Sequence, residues 1–132
     1  MAHATSLPPI AVTTTDFDRL RGLAQAHTDA ARFLAREIER ARLIEPEDAG
    51  ERLVTMNARV RYRDDVTGQE RTVTLVYPGE ADISAGRVSV LTPIGAALIG
   101  MTAGQSIEWE SPWGGVRLLT VVEVGGAAMA AP

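Results

Sequence analysis

Residues 87–100 read RVSVLTPIGAALIG, from Arg87 to Gly100, and they change structural period at one residue. Arg87 to Leu91 alternates polar and apolar side chains, as a half-buried strand does. Thr92 can then cap a helix. Pro93 suits the first helical position, where its missing N–H has no partner to lose, and Gly100 suits the left-handed residue past the end. Ile94, Ala97, Leu98, Ile99 and Met101 are expected as core, because so short a helix needs an apolar stripe against a sheet.

Strands are expected on either side of this unit. Val60 and Tyr62 alternate with Arg59, Arg61 and Arg63, DDVTG forms a turn, and Val73, Leu75 and Tyr77 share a face, so residues 59–77 read as a β-hairpin. Gln105 to Glu110 alternates again, SPWGG turns, and Val116 to Val124 makes a last strand. Leu119 and Val121 suggest that this strand is apolar on both faces and central. The fold class is α+β: an antiparallel sheet on one short helix, with a short N-terminal antiparallel helical hairpin beside it.

The hairpin is read from two segments. Thr15 is the expected N-cap of a first helix over about residues 16–26, with Asp16 and Asp18 facing the positive end of its dipole and Phe17, Leu20 and Ala24 on one face. After a break near His27 to Asp29, Ala30, Leu34, Ile38 and Ala41 share a face, and Arg32, Arg36, Glu39 and Arg40 lie away from it. The expected organisation is an extended tail at 1–12, a helical hairpin of coiled-coil type at 13–44, a linker at 45–51 rich in carboxylates with Pro46 and Gly50, a sheet domain at 52–124 and a flexible tail at 125–132.

The 132 residues suffice for one modest core. With 45% hydrophobic and 23% charged residues the composition is that of a folded domain. There is no cysteine, which removes disulfides and thiolate chemistry, and all 13 basic residues are Arg. A net charge of −4 disfavours affinity built on phosphate neutralisation, so no direct sequence-specific nucleic-acid binding is expected. Neither an export leader nor a membrane anchor is read. A cytoplasmic, monomeric protein is expected.

Candidate reactive groups are sparse. Glu80 and Asp82 follow the strand ending LVYP and could pair as acid and base, yet Pro, Gly and Asp are what turns require, and a solvated turn is the better reading. His3 and His27 have no metal-site spacing, and both are expected at the surface. Ser84, Ser89, Ser106 and Ser111 lack a nucleophile-elbow context, and Gly95, Gly100 and Gly104 cannot form a phosphate loop without its Lys. No catalytic, metal or cofactor site is expected. The protein is not read as an enzyme.

VTMNARVRYRD, GQERTVTLVYPGEAD, RVSVLTPIGAALIGM and AGQSIEWESPWGG, in that order, resemble the C-terminal FKBP-like domain of the Gre transcript-cleavage factors, over about residues 52–124. Tyr77, where Gre factors usually have Gly, leans with VTMN and VLTPIGAALIG toward the branch of that family named as regulators of nucleoside diphosphate kinase. The resemblance implies a transcription regulator held at the rim of the RNA polymerase secondary channel by Leu91, Thr92, Pro93 and Ile94. Leu91 departs from the acidic residue common in Gre factors, which leaves apolar docking through Thr92 and Pro93.

Cleavage by Gre factors uses acidic residues at the tip of a long coiled coil to help hold a metal. The tip expected here, Gln25 to Ala30, offers His27 and a single carboxylate, Asp29, so the chain is expected to compete with Gre factors without stimulating cleavage. One alternative implied by the branch is direct regulation of nucleoside diphosphate kinase and nucleotide pools. A prolyl isomerase of FKBP type is disfavoured, because two Phe, two Tyr and two Trp are too few and too scattered to line its aromatic pocket.

Overall fold

The structure, a computed structural model, describes residues 7–110 and 115–125. Residues Ala11–Thr13, of which 11 and 12 were expected in the extended tail, form a buried strand, β1, paired in parallel with β2 (Arg42–Ile44). Ile10, Ala11 and Val12 are each less than 9% exposed. Three consecutive apolar residues after two prolines are enough to seat this edge in the core, which corrects the expectation for residues 10–12.

Between these strands lie α1 (Thr14–Leu23) and α2 (Asp29–Arg40). The cap of α1 is Thr13 rather than Thr15: Thr13 still has extended backbone at the end of β1, and its hydroxyl accepts the Asp16 N–H at 3.1 Å. The helix therefore starts and ends earlier than residues 16–26. Thr28 caps α2 by accepting the Ala31 N–H at 3.0 Å. Ala30, Ala31, Leu34 and Ile38 form its buried face, joined by Glu37, whose carboxylate is held by Arg40 at 2.8 Å. Arg40 also donates to the Pro8 carbonyl, tying the start of the chain to the end of α2.

The larger sheet comprises β3 (Arg59–Asp64), β4 (Glu70–Val76), β5 (Arg87–Ser89), β6 (Ser106–Glu110) and β7 (Val116–Gly125), in the spatial order β5-β4-β3-β7-β6. The β3–β4 hairpin pairs Val60 with Val73 and Tyr62 with Arg71. One pair departs from the expected antiparallel sheet: β4 and β5 run parallel. Two single 3₁₀ turns, Pro78–Glu80 and Ile83–Ala85, carry the chain back to the level of Thr74 in β4, where Arg87 begins β5.

β7 is interior, between β3 and β6. Leu119 and Val121 do not cover both of its faces, because residues two apart in a strand point the same way; both are fully buried, and Leu118 lies on the opposite side. The pairing with β3 shifts between Arg61 and Tyr62, so β7 carries one extra residue there.

The short helix α3 (Pro93–Leu98) crosses this sheet with Ala97, Leu98, Ile99 and Met101 at most 1% exposed. Ile94, expected with them, is partly buried against the same cluster. Gly95 is required by close approach: a Cβ there would lie 2.1 Å from the Ser89 carbonyl oxygen. Gly100 has φ +82° and accepts the Ala11 N–H through its carbonyl, joining the end of α3 to β1. α2 packs on α3, so Leu20, Leu34 and Ile38 share one apolar cluster with Val60, Leu75 and Leu119. Among the described residues no helix is long and apolar enough to cross a membrane.

Candidate protein-docking groove

Thr92 fixes the start of α3 twice over: its hydroxyl accepts the Gly95 N–H at 3.1 Å and donates to the Ser89 carbonyl at 2.7 Å. The four residues Leu91 to Ile94 then diverge. Leu91 and Ile94 pack against the core, Thr92 is used as the cap, and Pro93 lines a surface groove of about 240 Å³. The groove is also lined by Ala30, Phe33 and Arg36 of α2, by Glu108 and Trp109 of β6, and by Leu7 and Val116. Asp29, expected at the helical tip, lines the same groove and is paired with Arg32. His27 is exposed in the turn between the helices and does not line it.

Trp109 is 8% exposed, and its indole N–H is buried without a hydrogen-bond partner among the described residues. Arg36 sits over the Phe33 ring, 5.8 Å from its centroid, and forms no ion pair among the described residues. Phe33, Arg36 and Trp109 had no functional reading in the sequence, because only the packing of α2 on α3 brings them beside Pro93.

Tyr77 occupies a different position, under α1. It is 6% exposed, its hydroxyl donates to Asp16 Oδ1 at 3.4 Å, and the Arg19 guanidinium lies 3.6 Å from the ring centroid. Asp16 Oδ2 in turn accepts the Met56 N–H at 3.1 Å. Burial, then the neighbouring Asp16 charge, pushes the phenol up to about 12. One carboxylate on α1 thus holds both the end of β4 and the approach to β3.

Glu80 and Asp82 are exposed turn residues. Asp82 accepts the Ser84 N–H at 3.1 Å and its hydroxyl at 2.7 Å; the Ser84 hydroxyl, followed by weaker contributions that include Arg87, holds its carboxyl below the usual range. Ser89 accepts the Leu91 N–H, and Ser106 shares a hydrogen bond with Thr120. These serines serve turns and strand pairs. His3, Ser111, most of the SPWGG turn and nearly all of the expected tail at 125–132 lie outside the described residues.

The helical N-terminal part and the five-stranded sheet with α3 across it define a Gre-type protein. Residues 49–125 match the family described as transcription elongation factor, GreA/GreB, C-term, and residues 8–44 match Rnk N-terminus. The chain belongs to the GreA/GreB C-terminal family, in the branch that carries the Rnk N-terminus. It is 39% identical over 123 residues to the regulator of nucleoside diphosphate kinase of Escherichia coli (strain K12), covering 90% of each chain. Similarity to the transcription elongation factor GreA of Thermodesulfovibrio yellowstonii is 35% over 79 residues, 60% of this chain and 50% of that protein. The solved GreA/GreB factor of Nitrosomonas europaea superposes with a TM-score of 0.72 at 38% identity, covering 89% of this chain and 98% of that one. The chain is thus related to transcription elongation factors, and these relatives are named as regulators and factors rather than as enzymes.

Proposed function

We propose that this chain is a cytoplasmic transcription regulator that docks on RNA polymerase at the rim of the secondary channel through its sheet domain, competes there with Gre factors, and does not stimulate transcript cleavage. The observation that carries this reading is the pairing of a Gre-type platform with short helices. α1 and α2 have 10 and 12 residues, a reach of about 15 and 18 Å at ~1.5 Å per residue. The turn between them and the start of α2 present one carboxylate, Asp29, already engaged by Arg32. A lone, neutralised carboxylate on a short arm cannot supply the charge that metal-assisted cleavage needs.

The test is binding of the purified chain to core RNA polymerase, with a Gre factor as competitor. Saturable binding displaced by the competitor, and weakened roughly fivefold by Pro93→Asn at the groove wall, is the expected result. Absence of binding at tens of micromolar would refute the reading. The second reading, direct regulation of nucleoside diphosphate kinase, draws on the name of the Escherichia coli relative. Binding to the purified kinase with no binding to polymerase would favour it.

A further inference from the structure

We propose that Leu7, Pro8 and Pro9 form a latch across the groove between α2 and β6, hinged just before Ile10, and that its release lifts Leu7 away and opens the groove. The device does not depend on what occupies the groove, nor on the polymerase reading.

The latch is held from both elements that line the groove. Arg40, the last residue of α2, donates through Nη1 to the Pro8 carbonyl at 2.6 Å. Gln105, the residue before β6, donates through Nε2 to the Pro9 carbonyl at 2.9 Å. Proline has no N–H, so these carbonyls are the main-chain groups by which the pair can be held, and each takes a side-chain donor. Arg40 is aimed by Glu37, whose carboxylate is 2% exposed: it takes Nε at 3.0 Å and Nη2 at 2.8 Å and leaves Nη1 for the latch.

The mode of anchoring changes at Ile10. That residue is 4% exposed, its carbonyl accepts the Arg42 N–H at 3.0 Å, and Ala11 donates to the Gly100 carbonyl at 3.1 Å. From here on the chain is held by backbone bonds and by the core. Leu7 lies on the other side of this boundary: it lines the groove with Phe33, Pro93 and Trp109, yet is 47% exposed. A stretch held by surface side chains, with little of its own area buried, opens more readily than the core beneath it. Consecutive prolines are stiff, so loss of both ties swings the stretch as one piece. Leu7 thus fills apolar space that an apolar occupant would have to take from it. The groove's apparent affinity is then reduced in proportion to the fraction of chains whose latch is open.

The experiment follows acrylamide quenching of Trp109 fluorescence in full-length chains that all carry Trp113→Phe, so that one indole reports. Gln105→Glu keeps an oxygen for the Thr102 N–H that Gln105 accepts and removes the donor to Pro9. Arg40→Lys leaves a single ammonium, which stays with the buried Glu37 carboxylate and frees Pro8. Each lost bond should raise the open population about fivefold. Combined, the two substitutions should quench Trp109 at least about twice as strongly, in urea concentrations well below a still cooperative unfolding transition. Leu7→Ala touches neither tie and should raise quenching to a similar degree with the urea midpoint nearly unchanged. If the combined chain loses cooperative unfolding, Gln105→Glu and Leu7→Ala decide alone: stronger quenching in both supports the latch. Quenching in either that equals the chain carrying Trp113→Phe by itself overturns it.

Discussion

Replacing Tyr77 by Phe removes one oxygen and keeps the ring beneath Arg19. At pH 7 the loss is the hydroxyl bond to Asp16, which at 3.4 Å is long, so the cost should be small, about 0.5–1 kcal/mol. The larger consequence lies at alkaline pH. The folded phenol titrates at about 12 against 10.0 for a free one, so its raised value contributes stability that is complete below pH 10 and lost as pH rises toward 12. Linkage puts that loss at about 1 kcal/mol by pH 11 and about 2 kcal/mol by pH 12; with the residue 6% exposed, solvent screening removes little of it. Phe has no proton to lose. The variant should be the less stable protein at pH 7 and the more stable one above a crossing between roughly pH 10 and 11. Urea unfolding midpoints from pH 7 to 11.5 provide the assay. Parallel curves for the two proteins over that range would show that the phenol is not held neutral by burial and Asp16, and the reasoning would fail.

Other outcomes follow from local geometry. Gly95→Ala places a Cβ 2.1 Å from one backbone atom and 2.9 Å from another, neither of which can swing aside; a loss of roughly 3 kcal/mol or more is expected, seen as a fall of roughly 10 °C in Tm. Asp65 accepts from the Thr120 hydroxyl and from Arg63, and these, Thr120 first, hold its carboxyl below the usual range. A depressed value contributes stability that is present above about pH 4 and lost as pH falls through the folded value. Asp65→Asn should therefore flatten the acid limb of the urea midpoint between pH 5 and 3; an unchanged limb would contradict the assignment.

What could be read from the sequence was whatever repeats over enough residues to show a period. The β3–β4 hairpin has alternation on both arms, and α3 carries its cap, its proline and its terminal glycine within nine residues. β1 and β2 have three residues each and pair with one another across about thirty intervening positions, so no local pattern marks them. The direction of β5 was hidden for a related reason: parallel pairing is decided by the path of the connection, and two 3₁₀ turns do not announce where they lead. Thr13, Thr14 and Thr15 are equivalent as caps until the strand before them is known. The groove was half legible. Pro93 and Asp29 were expected at separate sites, the sheet domain and the helical tip, and only tertiary packing puts them on one surface with Trp109.

That packing gives Tyr77 a meaning beyond filling space. The groove is lined in one part by α2 and in the other by Pro93, Glu108 and Trp109, so its width depends on how the helical part is seated. Among the described residues, that seating is tied by Ala11 to Gly100, by Gln105 to the Pro9 carbonyl, and by Asp16 to Met56 and Tyr77. On α1, Asp16 and Arg19 both engage Tyr77, and Asp16 also accepts the Met56 N–H. If it sets the groove, Asp16→Ala should lose affinity for polymerase as well as about 2 kcal/mol of stability, because the Met56 N–H and the phenol are left without their acceptor. Asp16→Asn, which can still accept from Met56, should recover most of the affinity. A variant that is destabilised to that degree yet binds unchanged would show that the groove holds its shape without the clamp, and that Tyr77 serves packing alone.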